Sequence, residues 1–460
     1  MAKNLSVWQP EDPDFWNKTG QKIAKRNLWI SVPALLLAFA IWQVWSVAVV
    51  QLPAIGFNYT KNQLFWLAAL PALSGATLRI FYSFVVPIFG GRRWTAISTV
   101  SLLIPAIGLG FAVQDPNTSY LTMVILALLC GFGGANFSSS MSNISFFFPK
   151  SEKGSAMGIN AGLGNLGVST VQFIVPLVIT FSLFGVLGGQ AQIMTRPDGS
   201  SHQIWLQNAG FVWVPFIILS TISAWFGMND IDSAKASFKE QAVIFKRKHN
   251  WLMCWLYIGT FGSFIGFSAG FALLTKQVFP TVDPIKYVFL GPLVGALMRV
   301  VGGWLSDKFA ASKVTQTSFV LMVLAVVGVI ISLPNATSQG TFLGFFIGFM
   351  VLFAATGIGN ASTFAQAPRI FSTLYRRNAK KLGLNEQQAD AEAAKESAAI
   401  VGFMGAIGAY GGFFIPKSFG TSLDMTGSPV PALIGFIIFY LICILINWWF
   451  YASDKAEVKC

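Results

Sequence analysis

Long apolar runs alternate with short polar stretches twelve times along the chain. The apolar runs cover roughly 28–50, 64–86, 94–113, 119–146, 155–181, 209–228, 251–275, 285–306, 314–333, 341–372, 396–416 and 430–452. Each is long enough to cross a hydrocarbon core of about 30 Å. No ten-residue alternating strands occur, and backbone in lipid must satisfy its own hydrogen bonds, so the pattern predicts twelve helices. Residues 1–27 are polar and charged. No short apolar stretch with a cleavage site follows them, and no removable signal peptide is expected.

Composition sharpens this picture. Of 460 residues 54% are hydrophobic and only 11% charged, with a mean hydropathy of +0.62. Soluble proteins carry about 25% charged residues. The solvent is therefore lipid, and ordinary soluble enzyme folds are excluded. Disorder is excluded by 43 Phe, 15 Trp and the lack of a long polar tract. The net charge of +13 does not point to nucleic acid, because the basic residues sit in short loops between apolar runs. With the N-terminus in the cytoplasm, 23 Lys and Arg fall on the inner side and four on the outer (Lys61, Arg196, Lys276 and Lys417). This bias predicts a multi-pass inner-membrane protein with both termini cytoplasmic. Cys130, Cys254 and Cys443 lie in apolar runs, Cys460 is the last residue, and no CxxC occurs. Neither a disulfide framework nor a zinc site is indicated, and no metal or cofactor is expected.

The order of small-residue motifs reveals two halves. GATLR (Gly75 to Arg79) in span 2 matches GALMR (Gly295 to Arg299) in span 8. GFGGANF (Gly131 to Phe137) in span 4 matches GIGNASTF (Gly357 to Phe364) in span 10. AGLGNLG (Ala161 to Gly167) in span 5 matches GAIGAYG (Gly405 to Gly411) in span 11. The expected organisation is a segment 1–27, a six-helix bundle 28–228, a charged linker 229–250, a second bundle 251–452 and a tail 453–460. Two related six-helix halves are the signature of a rocking transporter with its site at the midplane. The loop GGWLSDKFAASK after span 8 resembles the G-x-x-x-D-[RK] loop of the major facilitator superfamily. Its counterpart PIFGGRRW after span 2 lacks the Asp.

Arg79 and Arg299 fall mid-span. A charge there costs roughly 2.5–3.5 kcal/mol even on the mild scale. The carboxylates all fall in loops, tails or at the first residue of span 11, so the counter-charge expected for the two guanidinium groups is an anionic substrate. Guanidinium forks suit a small planar oxyanion. Phe39, Phe137, Tyr257, Phe261 and the Gly runs are the expected lining, with Asn165 as an amide donor. Gly164, Gly167, Gly408 and Gly411 recur every third residue and are expected to bring helices close. Ala409 stands where Asn165 stands in the first motif, so the site is asymmetric.

These residues resemble the nitrate/nitrite porter family of the major facilitator superfamily. The resemblance runs over nearly the whole chain: WQPEDPDFW, RNLWISVP, FGGRRW, GANF, NISFFFPK, GLGNLGVS, FGSFIGFSAGF and GGFFIPK. It implies that the Gly runs of spans 5 and 11 are the paired nitrate signature motifs. It implies further that Arg79 and Arg299 clamp the anion, with contacts from Phe137, Asn165, Tyr257 and Phe261. Ala161 and the NASTFAQAPRIF stretch with Pro368 and Arg369 depart from the family pattern.

The leading reading is thus a nitrate/nitrite exchanger serving nitrate assimilation, working as a monomer in the bacterial inner membrane. Proton- or cation-coupled nitrate symport is the same-fold alternative, and an anion channel is another. A membrane enzyme is disfavoured, since no metal-ligand cluster, nucleophile–base set or cofactor loop occurs.

Overall fold

The computed structural model describes residues 4–195, 200–232, 242–335 and 338–460. Lys3, Arg196, Lys235 and Lys239 of the charge count, and part of the 229–250 linker, lie outside the described residues.

Among the described residues, twelve helices are long and apolar enough to cross a membrane. Spans 1 to 6 are Pro13–Ile55, Lys61–Tyr82, Gly91–Ala112, Tyr120–Phe147, Lys150–Val178 and Asn208–Gly227. Spans 7 to 12 are Lys248–Val278, Pro284–Lys308, Ala311–Ile331, Phe342–Ala379, Ala399–Thr426 and Val430–Ala452. The twelve apolar runs each become one helix. Local signals set their starts: Thr60 and Gln63 form a reciprocal capping box before span 2, and Ser119 accepts from the Thr122 amide before span 4. Span 11 runs ten residues beyond its expected end, because Pro416 is accommodated inside the helix. Lys417 and Asp424 therefore belong to the span's last turns rather than to a loop.

The chain divides into two compact units. The first takes in residues 4–232 and Ser268–Phe289; the second takes in 242–267 and the described residues from Leu290 on. The most apolar stretches of spans 1 and 7 are 94% buried, whereas that of span 12 is 22% buried. Spans 1 and 7 are thus enclosed, and the open Ile, Leu and Trp side chains of span 12 suit lipid contact.

One end of the first unit is clasped by its N-terminal segment. β1 (Asn4–Leu5) pairs in parallel with β4 (Asp230–Ile231), which follows span 6. Trp8 Nε1 donates to the Phe146 carbonyl at 3.0 Å. Trp16 Nε1 donates to Glu152 at 3.0 Å, and Glu11 accepts from the Lys150 amide at 2.9 Å. The segment Asn4 to Trp16 thereby joins the ends of spans 1, 4, 5 and 6. A separate antiparallel hairpin, β2 (Gln192–Thr195) and β3 (Ser201–Ile204), connects spans 5 and 6. In the second unit Lys248 and Arg377 both bond Glu457, through its carboxylate and its carbonyl, so the starts of span 7 and the ends of spans 10 and 12 share one end.

Candidate functional site

In the first unit the site is built outward from Arg79. This residue is fully buried. Its Nε donates to the Gly134 carbonyl at 2.7 Å. Its guanidinium carbon lies 4.9 Å from the Trp42 ring and 4.8 Å from the Phe137 ring, within cation–π range of both. Phe39 closes the aromatic group, edge-on to Trp42 at 5.4 Å and to Phe137 at 6.1 Å.

The small-residue motifs make room for this group. A Cβ on Gly75 would stand 2.8 Å from Trp42 Nε1, and one on Gly134 would stand 2.5 Å from Trp42 Cε2. Gly164 backs onto Leu35 and Gly167 onto the Leu36 carbonyl and Phe39, seating span 5 against span 1. Asn165 lies between those two glycines. It is 1% exposed, and both its amide oxygen and its amide nitrogen are buried with no hydrogen-bond partner among the described residues. An amide so placed requires a polar guest or costs stability.

The second unit repeats the plan with different side chains. Tyr257 and Phe261 stack at 5.2 Å with planes 17° apart, and both are 1% exposed. Phe261 sits in a single π-helical turn, Ile258–Gly262. Such turns are frequent at functional sites, although Trp16–Gly20 and Trp448–Ala452 form others at the ends of spans 1 and 12. Gly408 backs onto Tyr257, and Gly411 meets the Gly262 backbone. Gly295 backs onto Phe264, as Gly75 does onto Trp42. The correspondence is thus Leu35 and Trp42 in span 1, facing Gly164 and Gly75, with Tyr257 and Phe264 in span 7, facing Gly408 and Gly295. Arg299 is only part-buried. Its guanidinium carbon is 5.8 Å from the Phe364 ring, and its Nη1 is buried with no hydrogen-bond partner among the described residues.

The structure therefore joins Arg79 directly to Phe137. It joins Tyr257 to Phe261, and links Arg299 to that pair through Phe364, whose ring is 6.3 Å from Tyr257. Of the four motif glycines, Gly167 abuts Phe39 and Gly408 abuts Tyr257, and Asn165 lies between Gly164 and Gly167 on span 5. Two aromatic residues were missed by sequence reasoning. Phe364 was within reach, since it ends GIGNASTF as Phe137 ends GFGGANF. Trp42 carried only an indirect signal, namely glycines in two neighbouring helices that need a large partner. Among the described residues no group of His, Cys, Asp and Glu could hold a metal ion.

Away from this site, the two loops compared by sequence are both completed by ion pairs. Arg369 donates to the Ser306 carbonyl at 2.8 Å and to Asp307 at 3.2 Å. The divergent Arg of span 10 thus ties down the GGWLSDK stretch, which forms the last turns of span 8. In the first unit the missing Asp is replaced by Asp230, which pairs with Arg92 at 3.1 Å and with Arg93 at 3.7 Å.

Comparison with known proteins agrees with this architecture. A family model described as Major Facilitator Superfamily matches residues 33–380. The chain is 53% identical to the nitrate/nitrite transporter NarU of Salmonella typhimurium, over 98% of this chain and 97% of that one. It is 52% identical to NarU of Escherichia coli, over 99% and 97% of the two chains. It is 42% identical to a probable nitrate/nitrite antiporter NarK2 of Thermus thermophilus, over 99% and 98%. The solved structure of a D-xylose–proton symporter superposes with a TM-score of 0.66 at 13% identity, over 95% and 98% of the chains, which shows the fold alone. This multi-pass membrane chain belongs to the nitrate/nitrite porter family of the Major Facilitator Superfamily.

Proposed function

We propose that this protein carries nitrate and nitrite across the membrane by exchange, one anion moving in as another moves out. The observation that carries the reading is the membrane-embedded guanidinium that each half sets beside an aromatic ring, Arg79 with Phe137 and Arg299 with Phe364. A delocalised, weakly hydrated guanidinium suits a flat oxyanion better than an ammonium does. Phe137, Tyr257 and Phe261 supply apolar walls, and the Asn165 amide supplies a polar contact. Identity above 50% to the NarU transporters supports the substrate pair.

Exchange rather than proton symport is supported by the sequence, whose Asp, Glu and His residues all fall near the ends of the membrane spans or outside them. Arg does not release its proton at ordinary pH, so the spans hold no evident relay. The same lack of a nucleophile–base set supports a carrier that performs no catalysis. The charge bias supports a cytoplasmic location for both termini, and two related halves in one chain support a working monomer.

The deciding experiment is counterflow in proteoliposomes. Vesicles loaded with nitrate should take up external nitrite or nitrate, while chloride and formate should not substitute. Uptake indifferent to the anion inside would remove exchange, and single-channel currents would replace the carrier by a channel.

A further inference from the structure

Trp42 is fully buried, yet its ring is held by polar and steric constraints rather than by apolar packing alone. Its Nε1 donates to the Pro71 carbonyl at 2.8 Å, which fixes the plane of the indole. Gly75 and Gly134 flank that ring so closely that neither tolerates a Cβ without a shift, the gaps being 2.8 and 2.5 Å. The indole so held stands 4.9 Å from the guanidinium carbon of Arg79, while Phe137 stands at 4.8 Å and the Gly134 carbonyl takes the Nε proton. The second unit has Phe264 at the matching place. That ring packs edge-on to Phe353 at 6.4 Å instead, and Arg299 has the Phe364 ring at a longer 5.8 Å.

We propose that Trp42 is a positioning residue for Arg79. Two aromatic rings and one carbonyl fix the guanidinium plane in advance, so the first half presents a preset fork to the anion. Arg299, part-buried and more loosely held, is the arm that adjusts. Preorganised donors lose less freedom when the anion arrives, so Trp42 sets anion affinity without touching the anion. The inference rests on the nitrate/nitrite reading above.

The test measures nitrate KM and Vmax for exchange in proteoliposomes of the wild type, Trp42→Phe, Trp42→Leu and Phe264→Leu. Trp42→Leu removes the aromatic face and should raise KM about tenfold, whereas Trp42→Phe keeps a face, loses the indole N–H and should raise it about threefold. A purely structural role would lower Vmax with the number of folded carriers and leave KM in place, which is the outcome expected for Phe264→Leu. A Trp42→Leu carrier with wild-type KM overturns the proposal, and so does a Phe264→Leu carrier whose KM rises as far. If Trp42→Leu does not reach the membrane, Trp42→Phe decides, an unchanged KM counting against the proposal. Failure of the wild type to exchange either anion would instead sink the functional reading, and this proposal with it.

Discussion

Asp230 and Arg92 form an ion pair at 3.1 Å with side chains only 7% and 5% exposed. Asp230 also accepts from the Arg92 amide at 2.8 Å, and Arg92 reaches the Trp225 carbonyl at 3.0 Å. Gly90 makes the approach possible. It sits at φ 84°, and a Cβ there would collide with the Asp230 carboxylate. A strand that follows span 6 thus returns its carboxylate to the loop after span 2.

Asp230→Asn should destabilise the first unit by about 3–5 kcal/mol, because it leaves the Arg92 charge buried without its counter-ion. Thermal unfolding in detergent reads this directly. A melting temperature equal to that of the wild type would show that the pair holds nothing together.

Arg79→Lys should cost more than tenfold in nitrate transport, about 1.4 kcal/mol or more, while the protein still reaches the membrane. An ammonium cannot lie flat beside Trp42 and Phe137, and it has no fork. Arg299→Lys should behave alike. Near-normal uptake in either variant would take that residue out of the site.

Phe261→Ala should weaken nitrate binding more than it lowers thermal stability, if its ring, stacked on Tyr257, faces the anion. The opposite order would mark it as a packing residue.

Glycine substitutions should separate by what each Cβ meets. Gly167→Ala drives into the Leu36 carbonyl and Gly411→Ala into the Gly262 backbone. Each should cost about 1–3 kcal/mol, since backbone cannot step aside. Gly164→Ala meets the Leu35 side chain at 2.7 Å, which can turn away, and the roughly 1 kcal/mol gained by Ala over Gly in a helix offsets the rest. Equal melting temperatures across the three would refute this ranking.

Acid should release the C-terminal tail. The hydrogen bond from Lys248 holds the Glu457 carboxyl below its ordinary value of 4.5. Its contribution is present above that value and is lost as pH falls through the lower folded one. Proteolysis of the tail should therefore accelerate as pH falls below that ordinary value and be unaffected near neutral pH.

Hydropathy made the twelve spans legible because lipid punishes any other arrangement, and the repeated motifs exposed the two arginines because a buried charge has few innocent explanations. Asp230 was not legible as the partner of FGGRRW, for it lies 138 positions beyond Arg92 and nothing local points back to it. Trp42 was hidden among 15 Trp and 43 Phe, most of which serve lipid or core. The end of span 11 lies ten residues beyond the expected 416, because a proline inside a membrane helix is tolerated when neighbours satisfy the freed backbone.

The clasp between Asn4–Leu5 and Asp230–Ile231 has a consequence for how the chain is born. Asn4 and Leu5 leave the ribosome about 225 residues ahead of their partner strand, roughly 10–45 s at ordinary elongation rates. During that interval Trp8 and Trp16 have no complete seat. A tag fused ahead of Asn4 enters this waiting period with them, so bulky N-terminal fusions should lower the yield of inserted protein where the same fusion after Cys460 does not.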